Sequence, residues 1–183
     1  MLIGLTGYAG AGKDEVADTL VREFGFKKIG FADPMYRIAL DLNPWIRQDG
    51  RLLRDIVERI GWTAAKRMPE VREFLQRLGE SARQNIGESV WINAAARTLL
   101  VTNARHKNVV ITNVRHENEA HWVKQRGGTI VLVSRVGFGP VNDHVSDQGL
   151  AFKYATHSID NIAGIAELQA VTRYLFTTVL DGR

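Results

Sequence analysis

Apolar residues fall into two patterns along this chain. Short runs rich in them occur at Leu2–Thr6, Lys28–Phe31, Asn108–Thr112 and Thr129–Ser134. Between the runs they recur every three or four positions, as at Val16, Ala17, Leu20 and Phe24. The runs predict strands buried on both faces, and the three-to-four spacing predicts amphipathic helices. A helix is expected from about Lys13 to Phe24, stopped by Gly25, and another from Asp33-Pro34, with Asp as N-cap and Pro in the first turn. Residues 41–107 read as mostly helical, with amphipathic stretches at Arg51–Ile60 and Pro69–Gly79 and a strongly apolar one at Val90–Val101. Glu117–Arg126 predicts a helix ended by Gly127-Gly128. Val136–Leu150, with three glycines and a proline, predicts a loop or lid, His157–Asp160 a short last strand, and Gly164–Leu180 a closing helix.

Strands alternating with helices predict an α/β fold: a three-layer arrangement around a mainly parallel sheet of about five strands, in one domain spanning 1–183. A helical insert is expected at about 34–107 and a lid at about 136–150. Ligands of such sheets bind beyond the carboxyl ends of the strands. There the chain carries Gly7–Asp14, Asp33, Asn113-Val114-Arg115 and Arg135, all polar or glycine-rich and expected to converge on one edge.

Composition narrows the classes. The 183 residues are 45% hydrophobic and 24% charged, which suits a soluble chain long enough to bury a core. There is no cysteine, which excludes disulfides and thiolate zinc sites and fits a reducing, cytoplasmic setting. The five histidines show no H-E-x-x-H spacing, so zinc is not expected. Met1–Leu5 is too short an apolar start for a signal peptide, and no run approaches a membrane span. A net charge of +4 suits anionic ligands but falls short of a dense nucleic-acid-binding patch, so neither nucleic acid nor membrane is an expected partner.

Gly7-Tyr8-Ala9-Gly10-Ala11-Gly12-Lys13 matches G-x-x-x-x-G-K between a predicted strand and a predicted helix, the context a phosphate-binding loop requires. Glycines let backbone N–H groups turn inward around a phosphate, the helix start adds its positive dipole end, and Lys13 supplies a charge to the β and γ phosphates. The next residue is usually Ser or Thr, whose hydroxyl binds Mg²⁺; here it is Asp14. A carboxylate is a hard oxygen ligand, so Asp14 is a candidate for the metal, directly or through water; the alternative is that it only complements the helix dipole. The acid expected at a later strand end is replaced by Asn113, and Asp14 is expected to take over that charge, with Asp33 a rival carboxylate.

These residues resemble the phage-type deoxynucleoside monophosphate kinases. The resemblance rests on Gly12-Lys13-Asp14, Phe31-Ala32-Asp33-Pro34, Leu75-Gln76-Arg77-Leu78-Gly79-Glu80 leading to Arg83 and Trp91, Val109–Arg115 followed by Glu117-Asn118-Glu119-Ala120, His144-Val145-Ser146-Asp147 and Ile159-Asp160-Asn161. These pieces occur in order and span most of the chain. The sequence departs from the family at Asn113, where the family has Asp, and at Asp147, where Glu is expected. The resemblance implies transfer of the γ-phosphoryl group of ATP, with Mg²⁺, to a deoxynucleoside monophosphate.

On that reading the nucleotide is held by Gly7, Ala9, Gly10, Ala11, Gly12, Lys13, Asp14, Glu15 and Asn161. Lys13, Arg115 and Arg135 carry the charge stabilisation, since phosphoryl transfer is mostly positioning and electrostatics and the arginine fork suits phosphate oxygens. The alternative for Arg115 is a surface ion pair, with Glu119 as the candidate partner. Asp33, Gln76, Arg83 and Trp91 are the acceptor candidates, against alternatives of an N-cap for Asp33, a solvated helix face for Arg83 and core packing for Trp91. Two other readings stay open: another small-molecule kinase of dephospho-coenzyme A or phosphomevalonate type, and a nucleotide-binding ATPase module that is not a kinase. Base preference and a homodimer stay open as well.

Overall fold

The computed structural model describes residues 1–103, 108–140, 149 and 151–180. Five strands form one sheet: β1 (Leu2–Thr6), β2 (Lys27–Ile29), β5 (Val109–Ile111), β6 (Thr129–Ser134) and β7 (His157–Asp160), in the spatial order β2-β5-β1-β6-β7. Every pairing is parallel. Parallel neighbours need crossovers, and helices supply them on both faces. The protein is an α/β fold with a five-stranded parallel sheet.

The chain separates into two compact units, Met1–Phe31 with Ala96–Arg183, and Ala32–Ala95. The first holds the sheet. On one face, α1 (Lys13–Phe24) and α7 (Ile165–Tyr174) bury Val16, Ala17, Leu20 and Leu168 against Ile3, Leu5, Val131 and Val133. On the other lies α6 (Glu117–Gln125), where a side chain at Gly4 would meet Val114 at 3.0 Å and Val123 at 3.5 Å. Strand alternation therefore sends Leu5 to the α1 face and Thr6 to the α6 face. The closing helix is α-helical to Tyr174 and continues as a π-helical turn at Leu175–Leu180.

The second unit is built from α2 (Asp33–Leu42), a two-stranded antiparallel hairpin of β3 (Trp45–Ile46) and β4 (Arg51–Leu52), α3 (Leu53–Ala65), α4 (Pro69–Ile86) and the start of α5 (Val90–Asn103). Its own core gathers Ala39, Ile46, Leu53, Ile56, Val71 and Leu75.

Several boundaries differ from the sequence reading. The second strand is Lys27–Ile29, not Lys28–Phe31, because pairing with β5 ends at Ile29↔Ile111. The hairpin within the stretch read as helical has strands of two residues each, too short to show a period of two. The helix expected at Arg51–Ile60 starts at Leu53 and is interrupted at Gly61, whose φ of 73° is not helical. The helix expected at Pro69–Gly79 runs on to Ile86, since glycine lowers helix stability without ending a helix that packs. Of the loop at 136–150, only 136–140 and Gly149 belong to the described residues; His144, Val145, Ser146 and Asp147 lie outside them.

Candidate active site

The glycine loop leaves the buried end of β1 and turns directly into α1. Gly7 has φ 142° and its added Cβ would lie 2.1 Å from the Val133 carbonyl oxygen, so only glycine lets the loop pass over β6. Gly12, at φ 111°, is the N-cap of α1, and a Cβ there would stand 2.8 Å from the Asn161 side-chain nitrogen. Lys13 folds across the loop: its Nζ donates to the carbonyls of Gly7 and Tyr8, each at 2.7 Å. Asn161, just past β7, donates its side-chain amide to the Ala11 carbonyl at 3.0 Å, while its backbone N–H bonds Ser134 O at 2.8 Å. The loop is thus braced from β6 and β7. Glu15 accepts from the Gln169 amide at 2.7 Å, which joins α1 to α7.

Asp14 lies in the first turn of α1, with its side chain 79% exposed, 3.0 Å from the Lys28 ammonium. Lys28 also bonds Asp18 at 3.0 Å. Burial pulls the Lys28 pKa down, but hydrogen bonds to Asp18 and Asp14 outweigh it and leave the pKa raised. The ammonium is therefore charged at neutral pH and is shared between the Asp14 and Asp18 carboxylates.

Arg115 follows β5 and Val114. Its backbone N–H donates to the buried Glu119 carboxylate at 2.8 Å, and the N–H of His116 does so at 3.2 Å. Glu119 thereby caps α6 and fixes where Arg115 leaves the strand. Asn113 Oδ1 accepts the Phe31 N–H at 3.1 Å. Arg135, after β6, is exposed and stacks its guanidinium on Phe138, 4.8 Å from the ring centre. Phe138 in turn covers the tip of the loop, since a Cβ on Gly10 would meet its ring at 2.5 Å.

A small depression opens where β1 and β5 end. Thr6, Gly7, Tyr8, Ala9, Val114, Arg115, Gly149 and Phe152 line it. Phe152 packs edge-on against Tyr8, 4.9 Å between ring centres. The turn carrying Phe152 is tied to α6, because Lys153 and Tyr154 both donate to Glu117 at 2.9 Å.

The glycine loop, Arg115, Arg135 and Asn161 all belong to the sheet unit. Asp33, Gln76, Arg83 and Trp91 belong to the helical unit. There Trp91 is buried and donates its indole N–H to the Gly79 carbonyl at 3.1 Å, and Arg83 donates to the Glu88 carbonyl at 2.9 Å. Gln76 and Asp33 are partly exposed. Thr6, Phe138 and Phe152 carry no motif, and Glu119, part of the Glu117–Ala120 piece, is read from the sequence only as an ion-pair partner for Arg115. The available signal is a polar residue ending a buried strand for Thr6 and an acid three residues into a helix for Glu119.

A glycine loop between the first strand and first helix of a parallel sheet, with arginines at neighbouring strand ends, defines a P-loop small-molecule kinase fold. Solved structures of that fold agree. A dephospho-CoA kinase from Campylobacter jejuni superposes with a TM-score of 0.55 at 13% identity, covering 99% of this chain and 98% of that one. A shikimate kinase from Acinetobacter baumannii gives 0.51 at 14% identity, covering 100% and 94%.

Within that fold the chain belongs to the deoxynucleotide monophosphate kinase family, whose model matches residues 52–171. A protein of Acanthamoeba polyphaga mimivirus, provisionally designated a deoxynucleotide monophosphate kinase, is 28% identical over 162 residues and matches over 80% of each chain. Membership makes the protein a phosphotransferase of the kinase type and implies ATP as the donor. Among the described residues, no helix is long and apolar enough to cross a membrane.

Proposed function

We propose that this protein transfers the γ-phosphoryl group of ATP to the phosphate of a deoxynucleoside monophosphate. The bond from the γ phosphorus to the β–γ bridging oxygen breaks, an acceptor phosphate oxygen forms the new bond, and ADP and a diphosphate result. The observation that carries this reading is Arg115 lining the same depression as Gly7 and Tyr8 of the glycine loop, in a chain of this family.

The loop N–H groups and the α1 dipole cradle the donor phosphates. Lys13 exchanges the Gly7 and Tyr8 carbonyls for phosphate oxygens. Arg115 and Arg135 neutralise charge on the transferring group, and Arg135 must leave the Phe138 ring to do so. Asp33, Gln76, Arg83 and Trp91 are the residues that hold the acceptor, within a helical insert at about 34–107. A lid at about 136–150 excludes water.

Magnesium fits the chemistry of the loop. Such sites hold the ion through one or two carboxylates together with substrate phosphates, and Asp14 offers an exposed carboxylate in the first turn of α1. When bound, the ion would neutralise phosphate charge. Lys28 competes for the same carboxylate.

The test is ADP release with ATP and each deoxyribo- and ribonucleoside monophosphate, alongside dephospho-coenzyme A and phosphomevalonate. Release with a deoxynucleoside monophosphate is expected. Release only with a non-nucleotide acceptor, or at a rate independent of any acceptor, would refute the reading.

A further inference from the structure

Thr6 is the last residue of β1 and is 1% exposed. Its Oγ1 is buried and makes no hydrogen bond among the described residues. A buried hydroxyl without a partner opposes folding, so native structures seldom retain one without a use. The residue lines the depression that also holds Gly7, Val114 and Arg115. Alternation along β1 puts its side chain on the α6 face, away from α1. The depression has room for about one oxygen-sized atom. Tyr8 and Phe152 line it as well and pack edge-on against each other, 4.9 Å between ring centres.

We propose that Thr6 is a phosphate-binding residue: its hydroxyl donates to one phosphate oxygen that enters this depression beside Arg115. The inference rests on the phosphoryl-transfer reading and assigns that site a ligand contact outside the glycine motif. A hydroxyl suits this position because it adds a short, directed donor without a second full charge next to the arginine. A bond to an anionic oxygen is stronger than a neutral one, so its loss is readable as a change in affinity. The oxygen belongs either to the γ-phosphate of ATP or to the acceptor monophosphate, and separate titrations distinguish them.

Thr6→Val keeps the shape and removes the donor; Thr6→Ser keeps the donor. Both are compared with the unaltered protein by thermal unfolding without ligand, by calorimetric titration with ATP and with each deoxynucleoside monophosphate, and by steady-state kinetics. Thr6→Val is expected to unfold at the same or a higher temperature, because an unbonded hydroxyl has been removed. It is expected to bind one of the two ligands about tenfold more weakly, the loss of roughly one charge-assisted hydrogen bond. Thr6→Ser recovers most of that affinity. Weakening confined to the monophosphate places the oxygen on the acceptor, and weakening confined to ATP places it on the donor. Thr6→Val binding both ligands as tightly as the unaltered protein overturns the proposal, as does a lowered unfolding temperature, which would assign the hydroxyl to the fold. If the unaltered protein binds ATP or a monophosphate but transfers no phosphoryl group, the kinase reading fails while the titrations still decide Thr6. If it binds neither, both fail.

Discussion

Asn113, just past β5, accepts the backbone N–H of Phe31 at 3.1 Å and so joins the ends of β5 and β2. The bond spans 82 residues. It uses the Oδ1 that Asn and Asp share, so the structural role survives either residue and only the charge differs. Asn113→Asp is expected to fold as stably as the unaltered protein. Asn113→Leu leaves the Phe31 N–H without its acceptor and is expected to lose about 1–3 kcal/mol in denaturant unfolding. Equal stability of all three proteins would show that the bond does not hold the strand ends.

Lys13 bridges the Gly7 and Tyr8 carbonyls of its own loop. Lys13→Ala is expected to abolish measurable transfer, because in the proposed reaction the ammonium contacts charge that grows in the transition state. The fold should survive, since the sheet core does not include Lys13. Near-normal turnover alongside a native circular-dichroism spectrum would remove Lys13 from the reaction.

Asp14 and Lys28 form an exposed pair, and such pairs contribute about 0–1 kcal/mol to stability. The proposed metal role makes a larger demand on activity than on stability. Asp14→Asn is expected to shift the Mg²⁺ titration of the kinase reaction to higher concentration and to lower turnover more than acceptor affinity. Adding Asn113→Asp should restore part of the loss. If Asp14 is only a helix-end charge, worth about 0.3–1 kcal/mol, the melting temperature falls slightly and the Mg²⁺ titration does not move.

Glu117 anchors the turn that carries Phe152. Its hydrogen bond from Lys153, followed by that from Tyr154, holds its pKa below the ordinary 4.5 against the opposing effect of burial. A carboxylate whose pKa is lower in the folded state stabilises the protein above its unfolded pKa, and that contribution is lost as pH falls through the folded value. Glu117→Gln should therefore melt lower than the unaltered protein at pH 7, with the difference shrinking as the pH drops below about 4.5. A difference that is constant with pH would exclude the charge as its source.

The sequence by itself determined the order of strands and helices in the sheet unit and the position of the phosphate loop. Short continuous apolar runs at 2–6, 108–112 and 129–134, alternating with helical spacing, predict a sheet covered on both faces, and G-x-x-x-x-G-K has a defined place at its edge. These signals are local, carried by residues within one turn or one strand. The tertiary structure alone decided which groups meet the loop from far along the chain, Asn161 on Ala11, Phe138 over Gly10 and Phe152 against Tyr8, and that Thr6 and Arg115 line one depression. It also decided that Trp91 donates its indole N–H to Gly79, and that residues 45–52 pair as a hairpin inside a helical stretch. The contacts distant in sequence have no spacing to read, because each closes a loop whose ends are brought together by packing elsewhere, and the hairpin strands are too short to show a period of two. Side-chain identity states what a residue is able to bond, and only the path of the backbone states what lies within reach.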